Sequence, residues 1–503
     1  MKNLQPLIYA FLIIIGVYIG SMNNPYITVD NKINNLLNII NSHYVDSIND
    51  NAFEDDAINS ILGELDPHSS YISIKDVKPL EEDMQGSFSG IGVEFNIIED
   101  SIVVVSPISG GPSERLGVQS GDRIIRVEEE FVASIGIKNE GVIKRLRGKK
   151  GTSVDIIIKR RGQDELIPIT VIRDEIPLYS VDAGIMLTND IAYIKINRFS
   201  ATTYKEMMQK VNELKTIGMK KIILDFRDNP GGYLHIATQI CDEFLKEGEL
   251  IVFTEGRKRK KQEIFATSDG SLEDIRVIGL INEGSASASE IVSGALQDND
   301  RGLIIGRRSF GKGLVQEQIS LADGSIMRLT TQRYYTPSGR CIQKDYGKNK
   351  KDYYLEQYNR SEILIHSPEK LNYTTKEGRT VYGGGGITPD IIIERDTSLN
   401  YAQINIMMRK GWINNFCFEQ SEILRKQNLT SFTQINRTNT SNKFIQYLKV
   451  KDQKFILKLG SVESKYLETL LVATIARHLW DNNTYYKILS QEDKYIKEAI
   501  NNL

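Results

Sequence analysis

The chain has 503 residues, with 63 Lys and Arg against 65 Asp and Glu, a formal net charge of −2 and 40% hydrophobic residues. That length suggests about three domains; the apolar fraction excludes a wholly disordered chain, and the balanced charge argues against nucleic acid as the main partner. Cys241, Cys341 and Cys417 are too scattered for a disulfide framework or a CxxC metal site, and the five histidines form no HExxH motif or tight cluster, so neither a metal nor another cofactor is expected.

Residues 7–20 read LIYAFLIIIGVYIG, after Lys2 and before Ser21-Met22-Asn23-Asn24-Pro25. A positive charge, a short apolar run and then polar residues make an export-signal pattern. The run is shorter than the ~20 residues that cross a bilayer core, but can be extended back to Leu4 as a marginal anchor. With no clean small-x-small cleavage site, residues 1–21 read as an uncleaved signal anchor, a cleaved signal peptide being the alternative. The rest of the chain is then expected outside the cytoplasm, where unpaired cysteines are tolerable only if buried.

From Asp30 to about Leu65, Ile33, Leu36, Leu37, Ile40 and Tyr44 recur at helical spacing. Asp66-Pro67-His68 ends that region. Between Gly86 and Asp174 the texture changes to short β runs, such as Ile102–Val105 and Val154–Ile158, with turns at Gly121-Asp122 and Arg161-Gly162. From about Ile176 to Arg395, strands at 191–196, 221–226, 250–253, 277–281 and 303–305 alternate with helices at 204–214, 234–245 and 287–296, which predicts an α/β layer structure. Beyond Asp396 the chain reads as polar and helical, with aromatics at Trp412, Phe416 and Phe418. Residues 428–442, rich in Thr and Asn, read as a loop.

Three constellations carry chemistry. In the first, Ser89-Gly90-Ile91-Gly92-Val93-Glu94-Phe95 puts two glycines where backbone N–H groups can converge on an anion. The following strand can accept an extended peptide at its edge. A GxG turn alone is equally an ordinary tight turn. The order of Pro107 to Asp122 and then Arg123–Val127 makes the segment resemble the circularly permuted PDZ modules of bacterial proteases, with Gly90, Ile91, Gly92 and Val93 as the peptide C-terminus binding loop.

In the second, the apolar strand Ile278–Ile281 runs into Asn282-Glu283-Gly284-Ser285-Ala286-Ser287-Ala288-Ser289-Glu290 and an apolar helix. A serine there can be exposed as a nucleophile, with free N–H donors of the helix N-terminus beside it. Ser287-x-x-Glu290 is equally a capping box, which needs no chemistry. A serine needs a base, and no histidine lies nearby in sequence; His235 and His478 read as structural. Lys312, in Ser309-Phe310-Gly311-Lys312-Gly313-Leu314-Val315-Gln316, serves if burial lowers its pKa, a drop of about three units corresponding to ~4 kcal/mol; taken by itself it reads rather as a surface lysine in a glycine loop. Gln316, four residues on, shares a face with it and can orient the amine without adding charge. In the third, Asp225-Phe226-Arg227-Asp228-Asn229-Pro230-Gly231-Gly232 brings backbone close to a cleft and offers a second oxyanion donor, though a plain strand-to-helix turn has the same pattern.

Together with Leu65–Tyr71, Thr336–Arg340 and Gly385–Asp390, these blocks resemble the carboxy-terminal processing peptidases, the tail-specific proteases of serine peptidase family S41, over roughly residues 30–395. The long Gly run and the tail near Gly411-Trp412 resemble the longer members from Bacteroidetes-type bacteria. Cys341 departs from the pattern, a Ser being more usual after Gly-Arg. The resemblance implies a crotonase-like α/β protease core with an inserted PDZ domain and helical N- and C-terminal regions: 1–21 signal, 22–85 helical, 86–174 PDZ, 175–398 peptidase core and 399–503 mainly helical. It implies Ser287 as nucleophile, Lys312 as base and Gln316 as its partner, with an oxyanion hole from the backbone of Ala288 and of Gly231 or Gly232. The expected activity is endopeptidase cleavage of exported proteins with apolar C-termini, in the bacterial envelope, anchored in the inner membrane facing the periplasm or free in it. An adaptor lipoprotein and a homodimer or higher oligomer are left open as further partners. The rival readings are an inactive PDZ scaffold and an acyl-transfer enzyme acting on a small thioester.

Overall fold

The computed structural model describes residues 15, 32–46, 50–347, 349–359, 372–395 and 401–503. The apolar run at 7–20 lies outside the described residues, apart from Ile15. No helix among the described residues is long and apolar enough to cross a membrane. The chain divides into two compact units, Met1–Leu62 and Gly63–Leu503.

In the first unit, the helical spacing becomes Lys32–His43 (α1), followed by Asp50–Gly63 (α2). Ile33, Leu36 and Ile39 of α1 are exposed.

In the second unit, β1 (Ser70–Ile72) and α3 (Ile74–Gln85) lead into a β-rich module. Its strands are β2 (Ser87–Gly90), β3 (Val93–Ile98), β4 (Ser101–Pro107) and β5 (Arg123–Val127), then helix α4 (Asn139–Leu146), then β6 (Ser153–Lys159), β7 (Leu166–Ile172) and β8 (Asp174–Pro177). The sheet order is β3-β4-β5-β6-β7, while β2 pairs with β8. Alternate residues Ile102, Val104, Val154, Ile156 and Ile158 face inward and pack with Val142 and Leu146 of α4. β3 ends this sheet, so one of its edges is unpaired among the described strands.

The chain then builds β9 (Val181–Met186), β10 (Ile191–Ile196), α5 (Thr203–Thr216), β11 (Lys221–Asp225), α6 (Leu234–Asp242), β12 (Leu250–Glu255), β13 (Gln262–Phe265), β14 (Arg276–Ile281), α7 (Ala288–Asp298), β15 (Gly302–Gly306), β16 (Leu314–Ser320), β17 (Ile326–Tyr335), α8 (Lys350–Asn359) and β18 (Ile391–Ile392). A six-stranded sheet runs β9-β10-β11-β14-β15-β18, antiparallel at its first pair and parallel thereafter. Parallel strands need cover on both faces. Ile222 and Leu224 point to one side, where α5, α6 and α7 contribute Met207, Ile240 and Ile291. Ile223, Ile278 and Leu280 point to the other, covered by Ile496 and Ala499 from near the end of the chain. A second sheet joins β1, β17, β12 and β13, with β16 paired to β17. This is the α/β layer structure that the strand and helix alternation predicts, and the β-rich module precedes it.

Five helices follow: α9 (Ala402–Arg409), α10 (Trp412–Arg425), α11 (Arg437–Lys451), α12 (Ser461–Leu479) and α13 (Asn482–Ser490), before α14 (Lys494–Asn502). Trp412, Phe416, Phe444, Leu471 and Ile488 form their shared core. The loop expected at 428–442 is corrected in its second half. Asn436 caps α11, its Oδ1 accepting from Asn439 N–H at 2.8 Å, and the buried face of Thr440, Phe444 and Leu448 outweighs the weak helix propensity of Thr and Asn. Cys241 and Cys417 are buried and Cys341 is half-buried, all as free thiols.

Candidate active site

Three turns leave the carboxyl ends of adjacent parallel strands, where α/β sheets place their sites. β11 runs into Phe226–Gly232, β14 into Asn282–Ser287, and β15 into Arg307–Lys312. Short bonds join the first two. Ala286 N–H and Ser289 Oγ both donate to Asn229 O, at 2.9 and 3.0 Å, and Ser285 Oγ donates to Phe226 O at 2.8 Å.

Ser287 is half-buried immediately before α7, at φ 55° and ψ −114°. This conformation costs a non-glycine residue of order 1–3 kcal/mol. Tyr334 OH donates to Ser287 O at 3.2 Å.

The third turn is tied to the second by Glu290. Its Oε2 accepts from Ser287 N–H at 2.8 Å and from Lys312 N–H at 2.9 Å. Its Oε1 accepts from Gly311 N–H at 2.7 Å and from the Ser309 hydroxyl. One carboxylate oxygen therefore bridges the backbones of Ser287 and Lys312. Glu290 is fully buried, and burial pushes its pKa above the ordinary carboxylate value against these donors. The capping-box reading captured its bond to Ser287 N–H and missed the other three.

Lys312 Nζ donates to Gln316 Oε1 at 2.9 Å, and Gln316 Nε2 donates to His68 O at 2.7 Å. The contact forms across a bulge between Val315 and Gln316 in the β16–β17 ladder. Because His68 O can only accept, the amide must turn its nitrogen toward it, leaving its oxygen for the lysine. A neutral amine giving one hydrogen to that oxygen keeps its lone pair for another group. Burial first, then the charge of Arg328, lower the Lys312 pKa to about 8.

The sequence offered no role for His68. Asp66 Oδ1 accepts from the N–H groups of His68 and Ser69 at 2.8 and 2.9 Å, fixing the turn. The His68 ring contacts Tyr353 OH through Nε2 at 2.7 Å, and burial and then the Lys312 charge bring its pKa down to about 4. His478 lies edge-on to Phe418 at 5.8 Å and is likewise lowered to about 4, burial being the largest cause. His235 is exposed, its ring tilted 38° from that of Tyr233 with centroids 5.1 Å apart.

The two glycines of the first turn differ. A Cβ on Gly231 would meet Ser287 Cβ at 2.7 Å and Ala288 N at 2.9 Å, so this backbone lies directly against the serine turn. Gly231 N–H already donates to Asn229 Oδ1 at 2.9 Å. Gly232 is exposed, and a Cβ there would lie 2.1 Å from Phe199 O. Among the described residues the N–H groups of Gly232 and Ala288 have no acceptor.

In the β-rich module Gly90 pairs with Asp174, and Ile91 is buried with its carbonyl accepting from Ser113 N–H and Oγ at 3.2 and 2.6 Å. Gly92 has φ 73°, and a Cβ there would lie 2.9 Å from Ile176 Cδ1. The N–H groups of Ile91 and Gly92 have no acceptor among the described residues. Val93 begins edge strand β3. Glu290 thus joins the backbones of Ser287 and Lys312, and Lys312 Nζ bonds to Gln316, whereas among the described residues no hydrogen bond links Ser287 Oγ to Lys312 Nζ; Gly90–Val93 lie in the β-rich module.

Residues 190–353 match the model of peptidase family S41, and residues 89–171 that of the PDZ domain. A carboxy-terminal-processing protease of Bartonella bacilliformis is 40% identical over 309 residues, 60% of this chain and 70% of that protein. A probable CtpA-like serine protease of Staphylococcus aureus is 35% identical over 316 residues, and the alignment spans 62% of either chain. Among solved structures, a photosystem II D1 C-terminal processing protease is 24% identical, with 70% of this chain and 84% of that one covered and a TM-score of 0.37. On the sequence matches, the chain belongs to peptidase family S41, among the carboxy-terminal-processing serine peptidases.

Proposed function

We propose that the protein is an endopeptidase in which Ser287 is the nucleophile and neutral Lys312 its base, oriented by Gln316. Lys312 takes the hydroxyl proton as Ser287 Oγ attacks the scissile carbonyl. The oxyanion is held by the N–H groups of Ala288 and Gly232, which have no acceptor among the described residues. The amine then passes its proton to the leaving amide nitrogen, and water releases the product from the acyl-enzyme. The observation that carries this reading is the Lys312–Gln316–His68 chain, with an amine of pKa about 8 whose own backbone shares the Glu290 carboxylate with Ser287. The test is cleavage of an unfolded protein with an apolar tail: Ser287→Ala abolishes it, and undiminished cleavage overturns the reading.

The active form carries deprotonated Lys312. Below pH 8 that fraction falls with each added proton, so kcat/KM drops about tenfold per pH unit on the acid side and levels off above about pH 8. A pH–rate profile between 6 and 10 checks this.

Substrate tails dock on the PDZ module. The free N–H groups of Ile91 and Gly92 receive the terminal carboxylate, and the peptide extends along the open edge of β3. Amidating a tail peptide removes the charged acceptor, and its affinity falls about tenfold or more, measured by fluorescence anisotropy. The protein acts outside the cytoplasm, held by residues 1–21. Fractionation of cells that express it, with protease accessibility of the intact envelope, tests that placement.

A further inference from the structure

Tyr495 and Asp493, at the start of α14, touch two of the three active-site turns and reach the third through an ion pair. Asp493 Oδ2 lies 2.8 Å from an Arg227 guanidinium nitrogen, in the turn that leads to Gly231-Gly232. Arg227 also bonds to buried Asp225 at the end of β11, its Nε lying 3.0 Å from each carboxylate oxygen. Tyr495 OH accepts from Arg307, in the turn that leads to Lys312. The Tyr495 ring lies under both guanidiniums, 4.7 Å from that of Arg227 and 5.6 Å from that of Arg307. Arg307 Nε in turn pairs with Glu283 at 2.8 Å, in the turn that leads to Ser287. All these charged side chains are at most one-fifth exposed, so solvent screens them little.

We propose that Asp493 and Tyr495 are positioning residues of the peptidase: one helix start sets the spacing of the oxyanion, serine and lysine turns. The inference rests on the catalytic assignment above and adds to it a dependence on the helical region. Arg227, Glu283 and Arg307 lie one or two residues beyond their strands, so these contacts set the angle at which each turn leaves the sheet, while Asn229 and Glu290 tie the turns further out, and catalysis depends on the distances between the tips. An ångström of misplacement there costs up to about 100-fold in rate. Two guanidiniums on one ring repel each other unless nearby acids compensate; Asp225 and Asp493 do so for Arg227, and Glu283, shared with Arg395, does so for Arg307.

Two substitutions separate positioning from stability. Asp493 Oδ1 caps α14, accepting from Tyr495 N–H and Ile496 N–H at 2.9 and 3.3 Å, while Oδ2 holds Arg227. Asp493→Asn keeps an equally good cap and loses the charge. Tyr495→Phe keeps the ring and loses the hydroxyl, so at least one variant with the full fold is available. The readouts are kcat and KM on a tail peptide, and the affinity of a peptide aldehyde. Its carbon bonds to Ser287 Oγ, the hydroxyl proton passes to Lys312, and the resulting oxyanion tests the hole directly.

For each variant kcat falls about tenfold, KM stays within about twofold, and aldehyde affinity falls in step with kcat. Values of kcat and aldehyde affinity within twofold of the parent, or a loss confined to KM, overturn the proposal whatever happens to the melting temperature. A parent protein that fails to bind the aldehyde, or a Ser287→Ala variant that still cleaves, instead overturns the catalytic assignment.

Discussion

Replacing Lys312 with alanine lowers kcat by about four orders of magnitude and leaves the affinity for a tail peptide unchanged. Lys312 Nζ bonds to Gln316 Oε1, and no histidine ring among the described residues bonds to Ser287 or Lys312. His68, the histidine that the fold brings to this pair, presents its backbone carbonyl, and its ring is engaged with Tyr353. Lys312→Arg fails as completely, because a guanidinium does not give up its proton near neutrality. Gln316→Ala costs less, about 10- to 100-fold, since the amine remains and loses only its orientation. Steady-state kinetics on the three variants, with peptide anisotropy as the binding control, checks the order.

Glu290→Gln is expected to destabilise the protein by about 3–5 kcal/mol and to lower kcat by about 100-fold. Each carboxylate oxygen accepts from two donors: Ser287 N–H and Lys312 N–H on one, Gly311 N–H and the Ser309 hydroxyl on the other. An amide has one accepting oxygen, so two buried donors would face an NH2 group in either orientation, at about 1–3 kcal/mol each. The same change separates this reading from simple capping, because glutamine serves as well as glutamate in a capping box. Urea unfolding of Glu290→Gln therefore distinguishes a tie between two catalytic turns, with a large loss, from a helix cap, with almost none.

The α/β alternation was legible because β10, β11, β14 and β15 are short apolar runs separated by amphipathic helices, and a parallel sheet covered on both faces demands that pattern. Lys312 and Gln316 were legible because the contact they make is local, four residues apart. His68 was not, since it meets Gln316 across 248 residues of chain and does so through a carbonyl that every residue possesses. Glu290 was seen only as a cap because sequence spacing reports local bonds, and three of its four donors come from a turn about twenty residues away. Gly231 and Gly232 are alike in the sequence, because the Asn229 side chain that accepts the Gly231 N–H shows only in the fold. Residues 437–442 were misread because tertiary packing of Phe444 and Leu448 overrides local propensity. The link from Asp493 to Arg227 joins segments that share no motif.

Catalysis as proposed requires Lys312 to be a neutral base at working pH. Carbon-13 labelling of the lysine side chains, with the Lys312 signal assigned by its loss in Lys312→Arg, allows its titration to be followed by NMR in the full-length protein. A midpoint at about 8, coinciding with the acid limb of kcat/KM, is the expected result. A Lys312 signal titrating near the ordinary lysine value of about 10.4, while activity is already full at pH 8, would contradict the account.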